Sequence, residues 1–166
     1  MEFFLRDTRG FAYDVVNAVL AAGADDVVDA LARAEAVAKV RPSPDFASIA
    51  IAFKRIKNIL RQAEEKKAFI GTAPARADMS EQAEIALFEQ LSPIARTVEK
   101  LRVSKDYDGA LSEMAKIRTT VDTFFDKVMV MVEDTRVRAT RLALLRQLLS
   151  EFSTIADFSE IVTEGK

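Results

Sequence analysis

The sequence predicts an all-α fold, a helical bundle of about six to seven helices, and three observations support this class. Apolar residues recur every three or four positions through the long segments, as on one face of an α-helix. Helix-capping residues, glycines and prolines divide the chain at intervals that suit helices. The composition, with 49% hydrophobic and 30% charged residues, is typical of a folded domain rather than a disordered or membrane-spanning chain.

The length of 166 residues predicts a single domain, residues 1–166. Within it we expect an N-terminal helical hairpin over residues 1–40 and a main bundle over residues 43–160. Gly23 ends the predicted first helix, residues 2–22, and Pro42 follows the second. The third helix reaches about Lys67 and is followed by a loop at residues 71–77, and Ser92-Pro93 restarts or kinks the fourth. The predicted N-cap residues, in chain order, are Asp25, Ser43 before Pro44, Asp78 with Glu81, Asp106, Thr119 or Thr120, and Asp134 or Thr135.

One stretch, VDTFFDKVMVMVED at residues 121–134, allows two readings. The alternation in VMVMV suits a strand but covers only five residues, whereas a helical register covers all fourteen, so a helix is predicted. The predicted buried arc consists of Val121, Phe124, Phe125, Val128, Met131 and Val132. Asp122 and Asp126 lie one turn apart and could bind a cation, although a solvated acidic face is the favoured interpretation.

The absence of histidine and cysteine excludes several classes of site. Triads and pairs that use histidine are impossible, and so are zinc sites built from these residues. The five glycines are scattered, so no glycine-rich phosphate loop is present. We therefore expect no catalytic site and no cofactor in this chain. The sequence also has no signal peptide and no apolar run near 18 residues, so a cytoplasmic location without a membrane partner is expected.

Charge is distributed unevenly along the chain. Residues 41–76 contain eight basic and three acidic residues, whereas residues 77–134 contain seven basic and twelve acidic residues. The isoelectric point near 5.4 argues against nonspecific nucleic-acid affinity, and no DNA partner is expected. A local basic face remains possible within residues 41–76.

The predicted third helix supplies such a face. Three cations one or two turns apart could meet successive phosphates, and an amide beside them could read a base edge. The three cations are Lys54, Lys57 and Arg61, the amide is Asn58, and Arg55 lies further round the helix as another predicted phosphate contact. The alternative is a solvated basic face that pairs with Glu64 and Glu65, and the pattern alone favours this alternative.

The predicted seventh helix begins with three more arginines, Arg136, Arg138 and Arg141. The leucine stripe of this helix, traced backward, meets Arg138 and Arg141, so these two must protrude beyond the core or find acidic partners. The positive end of the helix beside them favours an anionic partner such as RNA. For Arg141 the equal alternative is an internal ion pair with Asp134, Asp122 or Glu133.

Six motifs now carry a resemblance to a known family. They are FAYDVVNAVLAAG (11–23), DALARAEAV (29–37), FKRIKNIL (53–60), VDTFFDKVMVMVED (121–134), RLALL (141–145) and IADFSEI (155–161). In these motifs and their order the chain resembles the C-terminal part of the bacterial glycyl-tRNA synthetase β subunit. Thr140 departs from the family pattern, which has Asn before Arg-Leu. We also expect the chain to be a fragment of a longer subunit, since MEFFLRD begins abruptly.

A second resemblance covers the order AFKRIKNILRQA, IALFEQL and RLALLRQLL, which is similar to the anticodon-binding domain of arginyl-tRNA synthetases, called the DALR domain. These resemblances imply an all-α, DALR-like bundle that binds the anticodon end of tRNA(Gly). They imply a partner, the α subunit of an α2β2 tetramer, which holds ATP and Mg²⁺ and catalyses aminoacylation of tRNA. The alternative function is a helical protein–protein interaction domain without direct RNA contact, which the acidic segment 77–134 would suit.

Overall fold

The computed structural model describes residues 1–2 and 4–163 and confirms the all-α class. Residues 3 and 164–166, which the predicted domain and first helix include in part, lie outside the described residues. The α-helices of the described part are α1 (Tyr13–Ala21), α2 (Val27–Val40), α3 (Pro44–Glu65), α4 (Gln82–Val103), α5 (Tyr107–Met114), α6 (Arg118–Lys127) and α7 (Thr135–Glu151). None of the helices described combines the length and apolar character needed to cross a bilayer.

The N-terminal segment differs from the single helix predicted over residues 2–22. A short π-helical segment, Phe4–Thr8, comes first, and α1 begins only at Tyr13. Gly10 lies between them with φ +74°, a left-handed conformation that interrupts a right-handed helix. Gly23 follows α1 with φ +94°, as expected of a glycine that ends a helix. Asp26, rather than the predicted Asp25, caps α2 by accepting the N–H of Val28 at 2.9 Å.

Helix α3 lies at the centre of the bundle and contacts α6, α7 and a 3₁₀ turn at Phe158–Glu160. It begins as predicted, with Ser43 accepting the N–H of Asp45 at 3.2 Å and proline at the first helical position. Its buried face packs on the ring of Phe158, which lies 5.2 Å from that of Phe46 and 6.5 Å from that of Phe53, between centroids. These aromatic contacts join the end of the chain to its central helix.

The boundaries of α4 to α6 differ in part from those predicted. Helix α4 runs without interruption through Pro93, and its capping box uses Glu81 and Glu84 instead of Asp78 and Glu81. Asp106 caps α5 as predicted. The predicted caps of the next helix, Thr119 and Thr120, were wrong, since both lie inside α6. A 3₁₀ turn carries α5 into α6 with helical backbone, so no cap is needed there.

The helix predicted over all of residues 121–134 was also wrong, because α6 ends at Lys127. Val128 has φ −118° and ψ 127°, which is extended backbone. From there side chains alternate: Val128 and Val130 are buried, while Met129 is 71% exposed. The physical reason is a tertiary contact. The Arg141 guanidinium of α7 donates to the Met129 carbonyl at 2.7 Å, whereas in a helix a backbone N–H of the same helix would donate to that carbonyl. Asp134 then caps α7, as predicted.

The hairpin of α1 and α2 is tied to the main bundle by buried polar groups. The Asp14 carboxylate, fully buried, accepts from Arg41 Nε at 2.9 Å and from the Val162 N–H at 2.9 Å. Arg33 of α2, 4% exposed, donates to the Ile155 carbonyl at 3.1 Å. Since the bonds of Val162 to Asp14 and of Arg33 to Ile155 connect positions 148 and 122 residues apart in sequence, one core includes both parts of the chain.

Candidate nucleic-acid interface

The cations predicted on α3 divide into two groups. Lys57 forms an ion pair with the Asp157 carboxylate, and Lys54 Nζ donates to the Ile161 carbonyl at 2.6 Å. Burial of Asp157 favours its protonated form, but hydrogen bonds from Lys57 and Ser159 outweigh this and hold the pKa of Asp157 below its usual value. Both lysines therefore help to fix the C-terminal segment against α3.

The second group faces solvent. Asn58 and Arg61 are exposed, and neither forms a side-chain hydrogen bond or ion pair within the part of the chain that is described. The predicted alternative, pairing of the basic face with Glu64 and Glu65, is not formed among the described residues. The guanidinium carbon of Arg55 lies 4.4 Å from the centroid of the Phe125 ring, a cation–π contact. We call these three residues the outer flank of α3. It presents the Arg61 cation, the Asn58 amide and the Arg55 guanidinium, which rests on the Phe125 ring.

Arg141, at the start of α7, lies inside the bundle and is 5% exposed. It is paired with the fully buried Glu84 of α4, with Nε–Oε2 at 3.1 Å and Nη2–Oε1 at 3.0 Å. Burial opposes ionisation of Glu84, but hydrogen bonds from Arg141 and from the Glu81 and Ser80 amides outweigh it and lower the pKa of that carboxyl. An internal ion pair was one predicted alternative, but its acid comes from α4 rather than from Asp134, Asp122 or Glu133.

The other two arginines of α7 occupy different environments. Arg138 is half-buried, and its Nη1 donates to the Val132 carbonyl at 3.4 Å. Arg136 has an 84% exposed side chain, with its Nε 3.9 Å from Asp78. Of the three predicted arginines, Arg136 is the one open to a partner.

An open groove of about 360 Å³ lies next to the outer flank of α3. Arg55 and Ile59 form its α3 side, and the chain from Phe125 to Met131 forms its other side. Sequence analysis missed this groove because it assigned residues 128–134 to a helix. The alternation of Val and Met was the signal that could have found it.

The two carboxylates of α6 that could bind a cation do not belong to a larger cluster of acidic side chains among the described residues. Asp122 Oδ2 lies 3.1 Å from Arg118 Nε, and Asp126 is exposed. Within residues 1–2 and 4–163, no three histidine, cysteine, aspartate or glutamate side chains converge as a metal site would require.

A charged cluster that sequence analysis missed lies where α2 meets α5. The Asp29 carboxylate accepts from the Tyr107 hydroxyl and from Lys105 Nζ at 3.1 Å, and lies 3.2 Å from Arg33 Nε. Burial and the bond to Asp29 raise the pKa of Tyr107 to about 12. One carboxylate faces two cations and a neutral tyrosine in this cluster, and their contacts join α2 of the hairpin to the start of α5.

The comparisons with known proteins agree with this architecture. The DALR anticodon binding domain family matches residues 49–160. The chain is 56% identical to the glycine–tRNA ligase beta subunit of Acidobacterium capsulatum. The alignment of 167 residues covers 98% of this chain and 24% of that protein. It is 43% identical to the subunit of the same name from Anaeromyxobacter sp. (95% of this chain, 22% of that protein) and 42% identical to that from Geotalea uraniireducens (93% and 22%).

The matched region of the family includes most of α3, all of α7, and the groove between α3 and residues 125–131. The chain spans about a quarter of the length of the curated relatives it matches. Because the family match extends over more than half of the chain and the all-α fold agrees with it, the chain belongs to the DALR anticodon binding domain family.

Proposed function

We propose that the chain is the anticodon-binding domain of a glycine–tRNA ligase β subunit and binds tRNA(Gly) at its anticodon end. The observation that carries this proposal is the match of residues 49–160 to the anticodon-binding family. The 56% identity to a named glycine–tRNA ligase beta subunit directs the proposal to tRNA(Gly). The exposed outer flank of α3 supports the same function, since the side chains of Asn58 and Arg61 have no hydrogen-bond partner among the described residues.

The RNA surface we propose is graded by the accessibility of its side chains. Arg61, Arg136 and Arg55 contact phosphates or bases, and Asn58 reads a base edge with its donor and acceptor. Lys54 and Lys57 lie at the margin and reach a phosphate while they hold the C-terminal segment. Arg138 and Arg141 shape the surface from beneath it, and do not contact RNA.

In the whole enzyme, the proposed partner is the α subunit of an α2β2 tetramer in the cytoplasm. That subunit would hold ATP and Mg²⁺ and catalyse formation of glycyl-tRNA, while this chain requires no cofactor of its own. Its task is then to fix the anticodon end so that the acceptor end reaches the α subunit.

A filter-binding titration over a range of salt concentrations, with tRNA(Gly) and a non-cognate tRNA, tests the proposal. We expect tighter binding of tRNA(Gly), and Arg61→Ala should flatten the log–log salt slope by about 0.7, since each phosphate contact to a single strand releases counterions. Asn58→Ala should reduce discrimination between the tRNAs and leave the slope unchanged. The matched control is Arg96→Ala, which removes an exposed arginine near the other end of α7. Equal binding of both tRNAs would contradict cognate recognition.

A second candidate function is docking of another protein segment. Exposed apolar residues favour it, because Ile51 is 41% and Val162 is 49% exposed beside an open groove of about 540 Å³. The same titration separates the two functions, since a docking domain would bind neither tRNA. The variant Ile51→Asp would leave tRNA binding intact and weaken association with a protein partner.

A further inference from the structure

We infer that the groove between α3 and the extended segment Val128–Met131 receives one unpaired nucleobase of the bound RNA. This inference rests on the proposed function and names the place where a base is held. The groove volume of about 360 Å³ lies within the range of pockets that bind small ligands.

The walls of the groove suit the faces of a base. The planar guanidinium of Arg55 lies over the Phe125 ring, 4.4 Å from its centroid, which fixes its orientation. Bases splayed out of a single strand stack on aromatic rings and on guanidinium planes. Met129, with 71% of its surface exposed, adds a polarizable apolar side chain that is open to a ligand.

The backbone of the same segment suits the edge of a base. Hydrogen-bond partners within the described residues occupy the Val128 N–H, the Met129 carbonyl and the Val130 carbonyl. The N–H groups of Met129, Val130 and Met131 and the carbonyls of Val128 and Met131 have no partner within that same part of the chain. Extended backbone thus offers donors and acceptors next to a stacking surface, which is the combination that a base edge requires.

The segment is held in place from the protein interior. Arg141 donates to the Met129 carbonyl at 2.7 Å while its other nitrogens bind Glu84. This hydrogen bond therefore fixes the wall of the groove before any ligand binds, which reduces the ordering cost of binding. Arg141 is a positioning residue in this arrangement, because it acts through Met129 and does not touch the ligand.

The test uses the 166-residue chain and an RNA hairpin with the tRNA(Gly) anticodon loop, with 2-aminopurine placed at one loop position at a time. We expect the fluorescence of one position to be quenched on binding. Arg55→Lys, which keeps the charge and removes the planar surface, should abolish this quenching and weaken binding about tenfold. Met129→Asp should do the same by placing a carboxylate at the groove. The matched control, Arg96→Lys, exchanges an exposed arginine outside the proposed RNA surface and should preserve the quenching.

The outcomes separate this inference from the proposed function. Loss of quenching in both groove variants and its retention in Arg96→Lys would support the base site. If the hairpin binds and Arg61→Ala weakens it, but no loop position responds to Arg55→Lys or Met129→Asp, RNA binding stands and the groove is not the base site. If the wild-type chain binds neither the hairpin nor tRNA(Gly), the proposed function and the base site are both overturned.

Discussion

The basic residues at the start of α7 and those on the outer flank of α3 illustrate how one sequence pattern leads to two environments. Both sets were predicted as RNA contacts from cations near a helical stripe. In α7, Arg141 points inward and pairs with a fully buried carboxylate. On α3, Arg61 faces solvent and has no internal partner in the part of the chain that the structure describes. The decisive factor is whether a buried acid lies within reach.

The acid in question is Glu84, which is 57 residues away from Arg141 in sequence. A buried charge without a partner is strongly unfavourable, so this pair must form as a unit when α4 packs on α7. An exposed cation has no such requirement, and its interactions remain available to a ligand. The contrast predicts opposite responses to mutation, in stability at one site and in binding at the other.

The largest effect should come from breaking the buried pair. We expect Arg141→Ala to lower the free energy of unfolding by about 3–5 kcal/mol, because it leaves Glu84 as an uncompensated buried charge. Arg61→Ala should stay within about 0.5 kcal/mol, as exposed substitutions usually do. Urea unfolding followed by circular dichroism measures both. Similar losses for the two variants would remove the distinction between the sites.

The adjacent rings of α6 sharpen the same contrast between inward and outward residues. Phe124 is fully buried, whereas Phe125 is half-buried under Arg55. Phe124→Ala should cost about 3–5 kcal/mol through the cavity it leaves, and Phe125→Ala clearly less. Thermal unfolding of both variants checks this order. A larger loss for Phe125→Ala would mean that the rotation of α6 is incorrect.

Lys57 lies between the two extremes, since it belongs to the basic face but pairs with Asp157. We expect Lys57→Ala to cost about 1–3 kcal/mol, because the partly buried carboxylate loses a charged hydrogen-bond donor. Asn58→Ala, one position along the helix, should be near neutral. The measurement is again urea unfolding, and a neutral Lys57→Ala would return this lysine to the exposed group.

The smallest expected effect is a change in the free energy of unfolding as the pH falls into the acid range. The pKa of Glu84 lies below its ordinary value of 4.5, so its ionised form stabilises the folded state. This contribution is fully present above the ordinary pKa and is lost as the pH falls through the lowered folded pKa. The difference in unfolding free energy between wild type and Glu84→Gln should therefore shrink as the pH falls below 4.5. A difference that stays constant from pH 7 to pH 3 would contradict the role of this carboxylate.

Local signals predicted much of the fold. Ser43, Asp106 and Asp134 cap the helices assigned to them because an N-cap needs only its own neighbours. The end of α6 could not be predicted in this way. Its extended continuation depends on Arg141 and Glu84, and no local pattern specifies that they meet.

For the candidate site, the sequence predicted the basic residues but not which of them remain free. Lys54 and Lys57 are engaged by the last turn of the chain, which lies about a hundred residues away. Arg55 and Asn58 each follow one of these lysines, which turns them by about 100° around α3 and leaves them outside these contacts. The groove itself was missed because the alternating Val and Met residues after α6 were assigned to a helix.

The contacts of the C-terminal segment also have a consequence for folding during synthesis. The ring of Phe158 fills the space beside Phe46 and Phe53, and the Val162 N–H donates to the Asp14 carboxylate. Translation adds about 5–20 residues per second, so the helices α1 to α7 emerge before residues 158–162 can fill these positions. Closure of the core therefore waits for residues 158–162. Until it occurs, apolar surface on the central helix is exposed to chaperones and to other nascent chains.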